Sequence, residues 1–282
     1  SQGYLSLAAA RIAELIGLGH DLGHRTGSGE WAHLLVEAAR LAGHDRLDVL
    51  HDEADGDALL ADDRLAPRAA RFDPDHRTAP AAPGGDGDTI YLCTADGEGQ
   101  AVSLIQSNAR GWGVHLAVPE VGIFLHNRGQ GFSLEPGHPA EYRPGRRPPH
   151  TLAPALVQRA DGTLRAVLGT MGGDTQPQVV LQLLARLLVA NQDPARCIGA
   201  PRWRLGDGGF DTWEGDGPGL VGVERGAPEA WADGLRRRGH EVSVQDPWNS
   251  GYGHAHLIER AEDGTLAGAA DPRALTGATA TW

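Results

Sequence analysis

Residues 84–103 read GGDGDTIYLCTADGEGQAVS, and this stretch divides the chain into two parts of different character. A tract rich in glycine, proline and aspartate ends at Asp88, and an alternating, β-prone segment begins at Thr89. The segment turns at residues 96–99 and returns over residues 101–106, which predicts a β-hairpin. Thr89 is therefore expected to stand at the start of a strand.

The position of Thr89 has two interpretations. A hydroxyl at the start of a strand, directly behind a segment mobile enough to be cut away, is what an N-terminal-nucleophile hydrolase needs. A linker followed by an ordinary hairpin gives the same pattern, and the dipeptide Asp88-Thr89 alone does not separate the two.

Composition limits the class of protein. A chain of 282 residues with 40% hydrophobic content is long enough to bury a large core. Its formal net charge of −12 argues against nucleic acid or an anionic membrane as a partner, and no apolar run reaches the length of a membrane span. The chain contains no lysine, which excludes mechanisms that use a lysine nucleophile or a phosphate-binding lysine.

Metal and cofactor sites find little support in the sequence. His20 and His24, or His254 and His256, could share one face of a helix or strand. No His-Glu-x-x-His motif is present and no carboxylate completes either pair, so structural or surface histidines are favoured. We expect neither a metal nor a cofactor.

The residues before Thr89 are predicted to be mainly helical. Apolar residues recur at helical spacing from Leu5 to Ile16, and a second helix is expected to begin near Ser28 and to bury Trp31. The acidic run over residues 52–63 indicates a solvated face or a short helix. Residues 67–88 carry several prolines and glycines, which predicts a mobile connector.

Beyond Thr89 the pattern changes to strands. A buried strand is predicted over residues 118–125, and a second hairpin over residues 155–159 and 164–169. The second hairpin leads to Gly172-Gly173 and then to an apolar-faced helix after Pro177. The paired glycines either offer backbone N–H groups to an oxyanion or only permit a tight turn, and the sequence leaves both readings open.

The stretch from Thr89 to Ser103 closely resembles the start of the small subunit of the γ-glutamyltranspeptidase family. Residues 1–47 resemble the end of the family's large subunit. Further similar segments follow in the family's order, at residues 122–128, 132–133, 147–148, 169–173, 200–202 and 271–273.

This resemblance implies an α+β fold, the αββα sandwich of N-terminal-nucleophile hydrolases, with two stacked antiparallel sheets between helical layers. Residues 1–66 would be the helical end of a large subunit, residues 67–88 the connector up to the cleavage site, and residues 89–282 the small subunit. Because the family's large subunit extends further upstream, we expect the sandwich to be incomplete on its N-terminal side and an upstream segment or chain to complete it.

The resemblance also implies the chemistry. Cleavage between Asp88 and Thr89 would free the α-amine of Thr89, which titrates near neutrality and can act as base for its own hydroxyl. Ser107 matches a hydroxyl that hydrogen-bonds the nucleophile, and Gly172 and Gly173 match the oxyanion-hole pair. The implied function is an autoprocessing amidohydrolase or acyltransferase that works without a cofactor, on a small-molecule amide.

The implied substrate site departs from the γ-glutamyl type. Ala109, Arg128 and Gly131 stand where γ-glutamyl enzymes carry an Asn, a Gln or Glu, and an Asp around the substrate's ammonium. His150 and Thr151 replace the family's paired serines, a change closer to the glutaryl or cephalosporin acylase-like branch.

We therefore expect Asn127, Arg128, His150 and Thr151 to contact the substrate and Arg128 to hold a carboxylate. Two other functions stay open: a catalytically silent structural fragment, and a biosynthetic tailoring enzyme.

Overall fold

The computed structural model of the chain describes residues 1–78, 89–206, 212–213 and 219–281. Residues 79–88 of the predicted connector, including Asp88, lie outside the described residues. Helices and mostly antiparallel strands make up the described part, which agrees with the predicted α+β class.

The elements are numbered in chain order. The helices are α1 Tyr4–Leu15, α2 His20–Gly23, α3 Gly29–Gly43, α4 Arg46–Val49, α5 Gly56–Leu60, α6 Asp62–Ala69, α7 Gln176–Leu184, α8 Pro194–Gly199 and α9 Glu229–Arg237. The strands are β1 Ile90–Ala95, β2 Ala101–Gln106, β3 Ala117–Val118, β4 Ile123–Phe124, β5 Ala155–Gln158, β6 Leu164–Thr170, β7 Trp203–Leu205, β8 Leu220–Glu224, β9 Glu241–Gln245, β10 Ala255–Arg260 and β11 Leu266–Ala270. Within the described residues, none of these helices combines the length and the apolar character that crossing a membrane requires.

Helices α1 and α3 form the helical layer that the apolar spacing predicts. Ser28 caps α3, as expected, by accepting a hydrogen bond from the Trp31 N–H at 3.1 Å. Ile12, Trp31 and Leu35 are at most 1% exposed. Burying an apolar side chain of this size contributes roughly 1.5–3 kcal/mol to the free energy of unfolding, so these contacts stabilise the helical layer.

The central sheet has the strand order β11-β10-β6-β5 and is antiparallel throughout. The predicted hairpin of β1 and β2 packs one face on this sheet through Tyr91, and a Cβ added to Gly169 would meet the Tyr91 ring at 2.4 Å. Tyr91 is the second residue of β1 and Gly169 is the second to last of β6. This contact brings the start of β1 close to the C-terminal end of β6.

The outer face of the same hairpin is apolar and exposed. Ile90, Leu92, Val102 and Leu104 lie on it, and each is between 48% and 71% exposed. A contiguous apolar face of this kind is typical of a surface that another segment or chain covers.

One prediction about strands is wrong in detail. Residues 118–125 do not form a buried strand: β3 and β4 are two residues each, and Ile123 and Phe124 are both 53% exposed. The chain turns between β3 and β4 at Gly122, whose φ of +67° suits glycine. The Gly122 N–H donates a hydrogen bond to the Val118 carbonyl at 3.0 Å. A separate sheet of β7, β8 and β9 is mixed: β7 and β8 run antiparallel, and β8 and β9 run parallel.

The helical part extends further than predicted. Helix α6 continues through Pro67 to Ala69, three residues into the predicted connector. Leu65 is fully buried and Arg68 pairs with Asp45, so side-chain contacts hold this helix despite its proline.

A buried ionic network joins two of the segments that carry the family resemblance. Arg202 contacts Asp271 at 2.7 Å, and Arg273 contacts Asp271 at 3.0 Å. Arg273 also donates to Glu224 at 2.8 Å, and all four side chains are at most 2% exposed. The network ties the chain before β7 to the chain after β11.

Candidate active site

The two predicted hydroxyl residues lie side by side. Thr89 is half-buried before β1, and its Oγ1 donates a hydrogen bond to Ser107 Oγ at 2.9 Å. Ser107 directly follows β2, so the pairing of Ile90 with Gln106 brings the two hydroxyls together. Ser107 Oγ also accepts the Ala109 N–H at 3.0 Å, and Ala109 adopts a φ of +76°, an uncommon conformation for a residue with a Cβ.

The predicted oxyanion residues form the turn between β6 and α7. Gly172 and Gly173 have φ angles of +132° and +55°. The Gly172 carbonyl accepts the Thr175 N–H at 2.9 Å, and the Gly173 carbonyl accepts the Gln176 N–H at 3.2 Å. In a trans peptide the N–H points opposite to the carbonyl, so the Gly173 N–H is directed away from the first turn of α7. The turn follows β6, whose C-terminal end lies close to the start of β1.

A cavity of about 280 Å³ has Ala109, the hydrogen-bond partner of Ser107, in its wall. Thr89, Ser107, Gly172 and Gly173 are not among the residues that line it. The four predicted substrate-binding residues all line it, as does Gly131. The described residues that line it include Arg46, Arg110 and Arg128 but no aspartate and no glutamate. The lining is therefore suited to an anionic ligand. Its lining residues are Arg46, Leu47, Leu50, Ala109, Arg110, Asn127, Arg128, Gln130, Gly131, Phe132, Ser133, His138, Ala140, Pro149, His150 and Thr151.

The polar side chains of the cavity wall carry guanidinium, amide, hydroxyl and imidazole groups. Arg128 Nη1 donates to Thr151 Oγ1 at 3.4 Å. Burial lowers the pKa of His150 to about 4, with Arg128 and Arg46 acting in the same direction, so the imidazole is neutral at pH 7. Its Nδ1 accepts the Leu152 N–H at 3.3 Å, which leaves the proton of the neutral ring on Nε2.

Asn127 lines the cavity, but its amide is already engaged. Its Oδ1 accepts the Arg110 N–H at 2.9 Å, and its Nδ2 donates to the Arg110 and Gly113 carbonyls at 3.0 and 3.1 Å. We therefore expect Asn127 to shape the wall rather than to donate to a ligand.

Sequence reasoning did not single out Gln2, which is completely buried between the cavity wall and the glycine turn. Its Nε2 donates to the Thr151 carbonyl at 3.1 Å and to the Gly173 carbonyl at 2.9 Å. Its Oε1 accepts a hydrogen bond from Arg46 Nε at 3.0 Å. Gln2 lies in the segment that resembles the end of the family's large subunit, but the sequence does not reveal its role, because its partners lie 44 to 171 positions away.

A second polar cluster was also missed, and none of its members lines the cavity. His33, Glu37 and His240 are buried, with ligand-type atoms within 4.8 Å of one another. The 2.9 Å separation of His33 Nδ1 and His240 Nε2 is that of a hydrogen bond, and His33 Nε2 donates to the Asp73 carbonyl. Arg40 Nε lies 3.1 Å from Glu37 and neutralises it, so the geometry favours a hydrogen-bonded pair over a metal site.

This cluster predicts a pH dependence of stability. Burial lowers the pKa of His33 to about 4 and of His240 to about 3, and Arg40 and Arg238 act in the same direction. Both rings stay neutral in the folded state, whereas in the unfolded chain each histidine takes up a proton below the ordinary histidine pKa of about 6.5. The contribution of this pair to the free energy of unfolding is therefore fully present above that pH and is lost as the pH drops toward 4. The loss is roughly 1–2 kcal/mol per histidine between about pH 7 and about pH 5.

Urea unfolding at the two pH values checks this expectation, with His240→Gln as the comparison. The variant should lose less stability than the parent over the same interval. An equal loss in both proteins would show that the histidine pair does not cause the pH dependence.

The sequence profile of the family described as gamma-glutamyltranspeptidase matches residues 1–281. The chain belongs to the gamma-glutamyltranspeptidase family. The resemblance seen in the ordered segments is therefore confirmed.

Individual members of the family agree with this assignment. Oxamate amidohydrolase proenzyme of Klebsiella pneumoniae is 36% identical over 278 residues, which cover 97% of this chain and 50% of that protein. Glutathione hydrolase-like YwrD proenzyme of Bacillus subtilis is 36% identical over 279 residues, covering 97% and 51%. The chain thus spans about half the length of the curated relatives it matches.

The crystal structure of cephalosporin acylase from Bacillus halodurans matches with a TM-score of 0.84 at 31% identity, over 100% of this chain and 49% of that chain. The predicted N-terminal-nucleophile hydrolase fold is thereby confirmed for this member of the gamma-glutamyltranspeptidase family.

Proposed function

We propose that this chain is the nucleophile-bearing part of an autoprocessing amidohydrolase or acyltransferase, and that its substrate is a small amide whose acyl part ends in a carboxylate. One observation carries the proposal: a cavity with three arginines and no described acidic residue has in its wall Ala109, whose N–H bonds the Oγ of Ser107, the hydrogen-bond partner of Thr89. The names of the relatives, a proenzyme of oxamate amidohydrolase among them, support an amide-cleaving proenzyme.

The proposed mechanism begins with scission between Asp88 and Thr89. The freed α-amine has an ordinary pKa of about 7.7–8.0 and takes the proton of the Thr89 hydroxyl as the oxygen attacks the substrate carbonyl. The tetrahedral intermediate collapses to an acyl ester on Thr89 while the protonated α-amine gives its proton to the departing amine. Water or an acceptor amine then releases the acyl group.

The helpers of this reaction have separate tasks. Thr89 Oγ1 donates to Ser107 Oγ in the structure. Once the α-amine is free, we propose that the Ser107 hydroxyl turns and donates to Thr89 Oγ1, which holds the nucleophile in place and leaves the Thr89 proton for the α-amine. The backbone N–H groups of Gly172 and Gly173 stabilise the developing oxyanion, and one such donor is typically worth about 2.7–4 kcal/mol.

The acyl part of the substrate is proposed from the charge of the cavity. A guanidinium binds a carboxylate through two parallel hydrogen bonds, and Arg128 has a position suited to this task. A γ-glutamyl group also carries an α-ammonium, which the three arginines would repel. Oxamate, in the name of one relative, joins an amide to a carboxylate, and a glutaryl amide has the same two groups further apart.

An upstream segment is proposed as the partner of this chain. Its relatives are about twice as long, and the outer face of the β1–β2 hairpin is apolar and exposed. We propose that the upstream part of the protein covers this face, and that residues 1–66, 67–88 and 89–282 are the end of a large subunit, the connector and the small subunit.

The proposed substrate class is tested by comparing glutaryl-anilide with γ-glutamyl-anilide, which differ only in the α-ammonium. We expect the full-length protein to turn over the glutaryl compound with a kcat/KM higher by roughly tenfold to a hundredfold, because a misplaced charge typically costs about 1.5–3 kcal/mol. Butyryl-anilide, which lacks the carboxylate, is the control and should be the poorest of the three. A preference for γ-glutamyl-anilide would contradict the proposal.

A further inference from the structure

We infer that Gln2 is a positioning residue of this site, whose side-chain amide holds the Gly172-Gly173 turn against the cavity wall. The inference rests on the proposed function and adds to it a residue from the opposite end of the chain.

The geometry of Gln2 is fully specified by its partners. The Thr151 and Gly173 carbonyls only accept hydrogen bonds, and the Arg46 guanidinium only donates them. The NH₂ group must therefore face the two carbonyls and the oxygen must face Arg46. Gln2 has no exposed surface, so water does not compete for any of these three bonds.

The glycine turn needs such an external support. Neither glycine has a side chain that packing could hold, and both have positive φ angles, so the backbone itself is easily deformed. The bond from Gln2 Nε2 to the Gly173 carbonyl fixes the plane of the peptide after Gly173. The first helical turn fixes the preceding peptide through Thr175. Together these bonds fix the direction of the Gly173 N–H, which belongs to the peptide that follows Gly172, and hold the Gly173 carbonyl in place. The Gly172 N–H belongs to the peptide that follows Met171, whose carbonyl accepts the Thr170 hydroxyl at 2.7 Å.

The same amide links the turn to the anion-binding wall. Thr151 and Arg46 both line the cavity. Arg46 also reaches the residue that directly follows the turn, since its Nη2 lies 3.7 Å from Asp174 Oδ1. Gln2 thus keeps the oxyanion donors and the proposed carboxylate-binding wall at a constant separation. Productive geometry in a catalytic site requires this kind of constancy within fractions of an ångström.

Gln2→Glu tests the inference, since it keeps the shape of the side chain but replaces two N–H donors with a carboxylate oxygen. Gln182→Glu is the matched control. Gln182 is also buried, donates to two carbonyls at 3.1 and 2.9 Å, and accepts the Trp203 N–H at 3.1 Å, but it lies outside the cavity and the turn.

We expect both variants to lose stability and only Gln2→Glu to lose chemistry. In the full-length protein, and per folded molecule, kcat for the preferred anilide should fall roughly tenfold to a hundredfold in Gln2→Glu, with KM changed by less than about threefold. In Gln182→Glu the kcat should stay within about twofold of the parent. If Gln2→Glu does not fold, Gln2→Met replaces it and is expected to show the same loss of kcat.

The outcomes separate the two proposals. An active parent whose kcat is unchanged in the folded Gln2 variant, or falls equally in both variants, overturns the positioning role and leaves the proposed function standing. A parent that neither cleaves itself nor turns over any of the anilides overturns the proposed function and this inference with it.

Discussion

Replacing Thr89 with alanine is expected to leave the chain uncut and to reduce anilide turnover by at least about a thousandfold. Thr89→Ala removes the hydroxyl that attacks both the Asp88 carbonyl and the substrate, and Ser107, its hydrogen-bond partner at 2.9 Å, cannot replace it. Intact-mass analysis of the purified protein measures the first effect, and anilide hydrolysis measures the second.

Thr94→Ala is the matched control, since Thr94 lies on the same strand but is exposed and away from Ser107. It should be cut and should turn over substrate like the parent. Thr89→Ser keeps a hydroxyl and should retain part of both activities. A Thr89→Ala protein that is still cut, or still active, would assign the nucleophile to another residue.

Replacing Arg128 with methionine is expected to raise KM for glutaryl-anilide by roughly tenfold to a hundredfold, because a charge-assisted hydrogen bond contributes about 1.5–3 kcal/mol. Its kcat should change much less, since Arg128 is proposed to bind the carboxylate and not the reacting carbonyl. Steady-state kinetics of Arg128→Met with glutaryl-anilide and butyryl-anilide separate the two effects: the penalty should appear only for the substrate that carries a carboxylate.

Arg128→Lys and Arg143→Met are the controls for this result. Lysine keeps the charge but cannot form the two parallel hydrogen bonds, so an intermediate KM is expected. Arg143 is exposed, contacts Glu141 and does not line the cavity, so its loss should leave KM unchanged. An equal penalty for both anilides in Arg128→Met would show that Arg128 supports the fold and does not recognise the carboxylate.

The sequence predicts well what depends on local pattern. Alternation over residues 90–106 gives the β1–β2 hairpin, and its pairing puts Thr89 beside Ser107. The Ser28 cap and the apolar spacing give α3 with its buried face. The residues matched to the family's substrate positions, Arg128 and His150 among them, do line one cavity.

The rest depends on contacts between distant parts of the chain. Gln2 joins Thr151 and Gly173, and His33 joins His240, yet neither pairing leaves a periodic signal in the sequence. The apolar residues 118–125 give the pattern of a buried strand, but the turn at Gly122 divides them and leaves them on the surface. The lack of acidic residues among the described members of the cavity wall cannot be read from the sequence, because the wall is assembled from five separate segments: residues 46–50, 109–110, 127–133, 138–140 and 149–151.

Intact-mass analysis of the purified, folded parent protein, followed by N-terminal sequencing, tests the central proposal most directly. We expect two species, of which one begins at Thr89 with the sequence Thr-Ile-Tyr-Leu-Cys of residues 89–93. A single uncut species that stays uncut on prolonged incubation, and that has no activity on the anilides, would contradict an autoprocessing hydrolase and would indicate a catalytically silent member of the family.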